Sequence, residues 1–184
     1  MDHDEALLLE VLNSAPVVDG RQTDSLEGTG AAALARAWGG TGTATEREQL
    51  RRARDAVQSV VRGDTAAAVD ELTRIVDGTV RTPHGSVDEL TRIVDGTVRT
   101  PHVSRDGVAW ELRTDDPDHR LPVQVVLAWS DVSARLPGRL RACANDACNL
   151  FLVDHSRPGT AKWCSMATCG NRMKARAYAG RARG

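Results

Sequence analysis

Four cysteines, Cys143, Cys148, Cys164 and Cys169, are the only ones in 184 residues, and they fall as two C-x4-C pairs with fifteen residues between them. Each pair closes a short loop that can aim two sulfurs at one point, and the intervening stretch is long enough to bring the second pair back to the first. The pattern predicts a closed four-thiolate site with one structural zinc ion as its expected occupant. Two other readings use the same residues. Disulfides suit an exported chain, but the opening Met1-Asp2-His3-Asp4-Glu5 is acidic where a leader is basic, and the apolar run Ala6 to Leu9 is short for a leader's apolar segment. A cytoplasmic location is expected on that ground. An iron–sulfur cluster also takes four thiolates and would make the chain a redox sensor; the paired spacing favours zinc and leaves iron open. His155 lies between the pairs, but four thiolates already fill the site, so it reads as a surface residue.

Charge is distributed unevenly around these cysteines. Residues 139–184 carry nine Lys and Arg against Asp146 and Asp154, a formal +7, whereas the first 138 residues carry fifteen basic and twenty-three acidic side chains, a formal −8. Four thiolates and a divalent cation together contribute −2, which leaves the C-terminal segment at about +5. Its last stretch, from Gly170 onward, is predicted as a basic helix. At 100° per residue Arg172, Arg176 and Arg183 share one face, Lys174 and Arg181 lie nearly opposite, and Met173 with Ala177 forms a narrow apolar stripe between. Gly180 either lies on that stripe's side or ends the helix. The candidate nucleic-acid contacts are Asn171, Arg172, Lys174, Arg176, Arg181 and Arg183, since a guanidinium fork can take phosphate or a guanine edge bidentately. The bland alternative is a solvated, frayed tail.

The stretch Cys143-Ala-Asn-Asp-Ala-Cys148, then Phe151, Asp154 and Ser156, then Trp163-Cys164-Ser165-Met166, then Cys169-Gly170-Asn171-Arg172-Met173-Lys174 closely resembles the CGNR zinc-finger family. The resemblance covers residues 139–184, all four cysteines and the tetrapeptide that names the family. Ala161-Lys162 stands before Trp163 where the family pattern leads one to expect an arginine pair, which removes basic charge but no ligand. Members pair this finger with an N-terminal ABATE domain and are described as stress-induced transcription regulators. Here Leu9 to Ser14, with Asp24 and Leu26, resembles the start of that domain. The resemblance therefore implies a zinc-dependent DNA-binding regulator in two parts. Residues 1–138 would be an ABATE-like domain sensing a small-molecule effector or stress signal, and residues 139–184 the finger with its basic helix. A homo-oligomer is a further expectation.

The N-terminal part reads as mainly helical, so the expected fold is a multihelical domain with one small β-hairpin, followed by a small four-cysteine zinc finger ending in a helix. Leu7, Leu8, Val11 and Leu12 predict a first helix after Asp4, ending near Asn13 and Pro16. Gly30 to Trp38 predicts a second. Thr45 with Glu48 has the form of a capping box for a third, carrying Leu50, Ala53, Val57, Val60 and Val61 to Gly63. A fourth is expected from Asp64 to Asp77-Gly78. Val108, Trp110 and Leu112 alternate as a strand after the Asp106-Gly107 turn, with Val98 to Val103 as the returning strand, where Pro101 limits it to an edge. A last helix with Pro122 near its start aligns Leu121, Val125, Ala128, Trp129, Val132 and Leu136 before Pro137-Gly138. Phe151 and Trp163 are expected to form the finger's own apolar cap.

Residues 69–84, VDELTRIVDGTVRTPH, recur without a mismatch at 87–102, so 67–84 and 85–102 form a tandem duplication at an offset of eighteen. Two identical copies do not build a solenoid, and the perfection of the match points to a recent event. Pro83, Gly85 and Ser86 prevent one continuous helix, and deleting 67–84 is expected to leave the thermal transition intact or raised.

Catalytic patterns are scarce, and the chain is read as a non-enzyme. Gly28-Thr29-Gly30 with Ala33 lacks the preceding strand of a dinucleotide site, Gly39 to Thr43 lacks a phosphate-loop lysine, and His3, His84, His102 and His119 stand apart. Two other classes of function use the same features. The finger could dock on a protein partner. RNA is less favoured, because Phe151 and Tyr178 are the only Phe and Tyr available for stacking. No membrane partner is expected.

Overall fold

A computed structural model describes residues 2–18, 20–28, 30–63, 87–104 and 107–181. Among them are six α-helices: α1 (His3–Leu12), α2 (Ala31–Ala37), α3 (Ala44–Arg62), α4 (Val87–Val94), α5 (Pro117–Arg135) and α6 (Asn171–Arg181). Three two-stranded antiparallel sheets accompany them: β1 (Val17–Val18) with β2 (Arg21–Gln22), β3 (Val98–Ser104) with β4 (Gly107–Arg113), and β5 (Leu140–Ala142) with β6 (Phe151–Val153). The mainly helical class is as expected, while the β1–β2 and β5–β6 pairings are additional to the one expected hairpin. The fourth helix expected from Asp64, and the first copy of the repeat, lie outside the described residues. The second copy supplies α4 and most of β3. No helix among the described residues is long and apolar enough to cross a membrane.

The core forms where α1, α3 and α5 bring their apolar stripes together. Leu7, Leu8, Val11 and Leu12 meet Leu50, Ala53, Ala56 and Val57, and α5 adds Leu121, Val123, Val125, Val126, Ala128 and Val132, all buried. Leu90 and Ile93 of α4 close the side. Trp129 and the expected strand residue Leu112 are only partly buried against this cluster.

Helix α1 begins at His3, capped by Asp2, not after Asp4, and two further helix starts differ from expectation, each for a local reason. The capping box of α3 is Thr43 with Glu46, not Thr45 with Glu48. Thr43 Oγ1 accepts from the Glu46 amide at 3.1 Å, and Glu46 Oε2 accepts from the Gly42 amide at 2.6 Å. Both pairs satisfy the same T-x-x-E pattern, and burial separates them. Glu46 is fully enclosed against Gly40, where an added Cβ would stand 2.5 Å from its carboxylate, whereas Glu48 is solvent-facing and pairs with Arg51 and Arg52. Helix α5 begins at Pro117, five residues before Pro122, because Asp116 caps it through the Asp118 amide at 2.9 Å and Pro117 suits the first helical position. Pro122 therefore lies inside the helix, buried. Asp118 ties the two starts together, accepting from Thr41 Oγ1 at 2.5 Å and Thr43 Oγ1 at 2.7 Å. The bond from Thr41, then that from Thr43, holds its carboxyl below the ordinary aspartate range.

Candidate metal centre

The β5–β6 hairpin carries the first cysteine pair and is seated directly on the helical core. Phe151 is not a cap for the finger as expected. It belongs to the main apolar cluster with α1 and α3, under the Arg62 guanidinium, 4.8 Å from its ring centroid. Two asparagines fix the seating by acting as surrogate peptide groups. Asn13 Oδ1 accepts from the Phe151 amide at 2.7 Å while its Nδ2 donates to the Phe151 carbonyl at 3.1 Å. In the opposite sense Asn149 Oδ1 accepts from the Val17 amide at 2.9 Å and its Nδ2 donates to the Ala15 carbonyl at 2.6 Å. His155, exposed over about half its side chain as a surface residue would be, also places Nε2 2.7 Å from Oε1 of the buried Glu5. It contributes no ligand atom to the cysteine cluster.

Beyond β6 the chain must turn back to deliver the second pair, and Asp154 organises that return. Its buried carboxylate accepts from the Ser156 hydroxyl at 2.6 Å, the Ser156 amide at 2.8 Å and the Ala161 amide at 3.0 Å, with Arg141 at 3.6 Å and Arg139 at 3.7 Å. The Ser156 hydroxyl bond is the main reason its pKa is lowered. Arg139 also donates to the Ser156 carbonyl at 2.6 Å and Arg141 to the Gly159 carbonyl at 2.9 Å. Both guanidiniums, two of the nine basic groups counted above, are thus engaged in shaping the 154–161 loop.

The four sulfurs all lie within 4.8 Å of one another. Cys148 to Cys164 and Cys164 to Cys169 are each 3.7 Å. A tetrahedron with metal–sulfur bonds of about 2.3 Å has edges of about 3.8 Å, so the cage fits one four-coordinate ion. All four cysteines are free thiols, which sets the disulfide alternative aside. A multi-iron cluster occupies the centre with several atoms and would hold its thiolates farther apart. Cys143 continues the β5–β6 pairing through its amide to the Leu150 carbonyl at 2.8 Å, and Cys148 closes its turn onto the Asn145 carbonyl at 2.7 Å. Cys169 sits on a single π-helical turn, Met166–Gly170, whose bond from the Gly170 amide to the Ser165 carbonyl is 3.0 Å. At Gly170 a Cβ would meet Met166 Sδ at 2.8 Å and Trp163 Cδ1 at 3.1 Å, so a larger residue would have to displace the Met166 side chain.

The donor chemistry suits thiolates. Asn145, fully buried, points Nδ2 at Cys169 Sγ at 3.3 Å, and the Cys164 amide points at Cys143 Sγ at 3.5 Å. Burial pushes the Cys148 and Cys164 thiols up, the latter strongly. At Cys169 burial acts in the same upward direction, but the Asn145 bond and those from neighbouring thiols outweigh it and bring that group down to about 7. One thiolate is accessible near neutrality, and four negative sulfurs this close require a cation among them. The residues present therefore fit zinc. Asn145 was not singled out in the sequence; an amide side chain two positions after the first ligand was the available signal.

Helix α6 leaves this cage as a continuation of the π-helical turn. None of its residues is buried; Met173 is half-buried and Ala177 exposed, so the expected apolar stripe docks only at its first turn. Gly180 falls inside the helix and does not end it. Arg172, Lys174, Arg176 and Arg181 are exposed without an acidic partner among the described residues, and Arg176 touches Met173 Sδ at 3.9 Å. Asn171 spends its amide nitrogen on the Ala167 carbonyl at 3.3 Å. Arg183 lies outside the described residues.

Residues 139–182 match the family model of the CGNR zinc finger. No curated protein matches the chain. The C-terminal segment is thus a metal-binding module of zinc-finger type, with Cys143, Cys148, Cys164 and Cys169 as the site for one zinc ion.

Proposed function

We propose that the chain is a zinc-dependent, DNA-binding transcription regulator of the cytoplasm, not an enzyme, in which α6 contacts the nucleic acid and the ABATE-like N-terminal part senses an effector or stress signal. The observation that carries this reading is the state of α6. An isolated helix of eleven residues is marginal in water, and this one has no buried face of its own to hold it. Here the first turn is anchored through Cys169, and the exposed surface is cationic. A polyanionic duplex complements that surface. Bound metal supplies a crosslink that fixes the direction of the helix; the binding contacts belong to Arg172, Lys174, Arg176 and Arg181, with Arg183 following.

Double-stranded DNA that contacts four to six of these charges should bind with a log-affinity against log-salt slope of about −4 to −5. Fluorescence anisotropy at several salt concentrations tests this with wild type and the Arg172→Ala/Lys174→Ala/Arg176→Ala variant. The variant should lose about 3 from the slope. A flat salt response in wild type, or an unchanged slope in the variant, sinks the reading and favours docking on a protein. Metal analysis of anaerobically purified protein should return one zinc per chain and no visible absorption; a coloured sample would indicate iron and a redox sensor.

A further inference from the structure

The β3–β4 hairpin packs Leu112 against the core cluster but leaves Trp110 60 % and Val103 88 % exposed. In its register Arg99 lies opposite Leu112 and Pro101 opposite Trp110, so Arg99, Trp110 and Leu112 share one face of the hairpin. Across from it, α5 presents Arg120, Gln124 and Leu127, which recur at i, i+4 and i+7 and so form one stripe of that helix. These six side chains line a cavity of about 420 Å³, within the size range of small-molecule sites.

We infer that this cleft binds a small aromatic carboxylate, and that such a molecule is the class of effector sensed by the N-terminal part. The inference deepens the sensing half of the proposed function and rests on that reading only for its regulatory meaning. Arg99 and Arg120 reach the cleft from different elements, and neither guanidinium has an ion pair or hydrogen bond among the described residues, although Glu111, Asp4 and His102 also line the wall. Glu111 is engaged by His102 at 2.9 Å and Arg113 at 3.7 Å, which leaves the Arg99 and Arg120 guanidiniums as the unpaired cationic groups of the lining. A carboxylate takes a guanidinium fork bidentately, and the Trp110 indole offers a flat apolar surface beside Leu112 and Leu127 for a ring. The two unpaired guanidiniums suit a carboxylate, and the Trp110 ring beside Leu112 and Leu127 suits an aromatic body.

Isothermal titration of the zinc-loaded full chain with 2-naphthoate, and with 2-naphthamide as its neutral counterpart, tests this directly. The carboxylate should bind saturably, with the amide at least about tenfold weaker. Arg99→Gln and Arg120→Gln should each weaken the carboxylate about tenfold and leave the amide unchanged, whereas Trp110→Ala should weaken both. Arg21→Gln, an exposed charge loss on β2, should change neither; zinc content and far-ultraviolet circular dichroism establish that each variant is folded. Equal affinity for acid and amide, insensitivity to both arginine substitutions, or no saturable binding at millimolar ligand overturns the assignment. The anisotropy experiment above is independent of it: carboxylate binding without DNA binding would remove the regulator and keep the site, and the converse would remove the site alone.

Discussion

The helical core and the cysteine cage hold their shapes by opposite means. Around α1, α3 and α5 the chain buries a continuous apolar surface. Among the described residues from 139 onward, the buried apolar groups are Cys143, Phe151, Leu152 and Cys169. Two of those are metal ligands, and Phe151 faces the other region's core. A segment so poor in apolar burial needs a crosslink to stay ordered. What the contrast teaches is that the finger borrows stability twice, from its metal and from its neighbour.

The largest expected effect comes from taking the metal away. Structural zinc sites of this kind are worth roughly 10–16 kcal/mol of apparent binding energy. Cys169→Ser, or a strong chelator, should reduce zinc to near zero by elemental analysis and abolish the near-ultraviolet circular dichroism of Trp163. Far-ultraviolet signal from α1, α3 and α5 should largely persist. If the whole molecule unfolds with the metal, the two regions are one cooperative unit and the contrast fails.

Leu8→Ala attacks the other side. Leu8 is fully buried in the apolar cluster, and such a truncation costs about 2–5 kcal/mol. The urea midpoint should fall accordingly while zinc stoichiometry stays at one. Asn13→Ala sharpens the comparison at the seam. It leaves both the Phe151 amide and carbonyl without their partner, for a loss of about 1–3 kcal/mol, and should separate the chelation-sensitive transition from the thermal one in calorimetry.

The smallest effect is a pH dependence. Asp154 has a lowered pKa in the folded chain, chiefly through the Ser156 hydroxyl bond, so its stabilisation is fully present above the unfolded aspartate value of about 3.9 and is lost as pH falls through the folded one. The difference in melting temperature between wild type and Asp154→Asn should be constant near neutrality and shrink only below about pH 4. A difference that shrank at higher pH would assign the effect to the thiolates instead.

Much of this is legible in the sequence. The cysteine spacing announced the cage, and the spacing of Leu7, Leu8, Val11 and Leu12 announced the core face of α1. The hairpin was readable because Val108, Trp110 and Leu112 alternate and a two-stranded sheet consists of edges, which tolerate Pro101. Helix starts were not, because Thr43/Glu46 and Thr45/Glu48 obey the same local rule and only the enclosure of Glu46 separates them. The role of Phe151 was misjudged for a related reason. Proximity in sequence to Trp163 suggested a shared cap, but its amide and carbonyl are held by a residue 138 positions away.

Local chemistry, then, determined by itself which residues can ligate a metal, which faces are apolar and where positive charge gathers, since thiols, periodicity and charge are properties of short stretches. Tertiary structure alone decided that the asparagine pair clamps the finger to the helices, that Arg139 and Arg141 serve a loop, and that Arg99 and Arg120 face one cleft. Each of those outcomes depends on groups distant in the chain meeting within a few ångströms, and no short stretch of sequence encodes that distance.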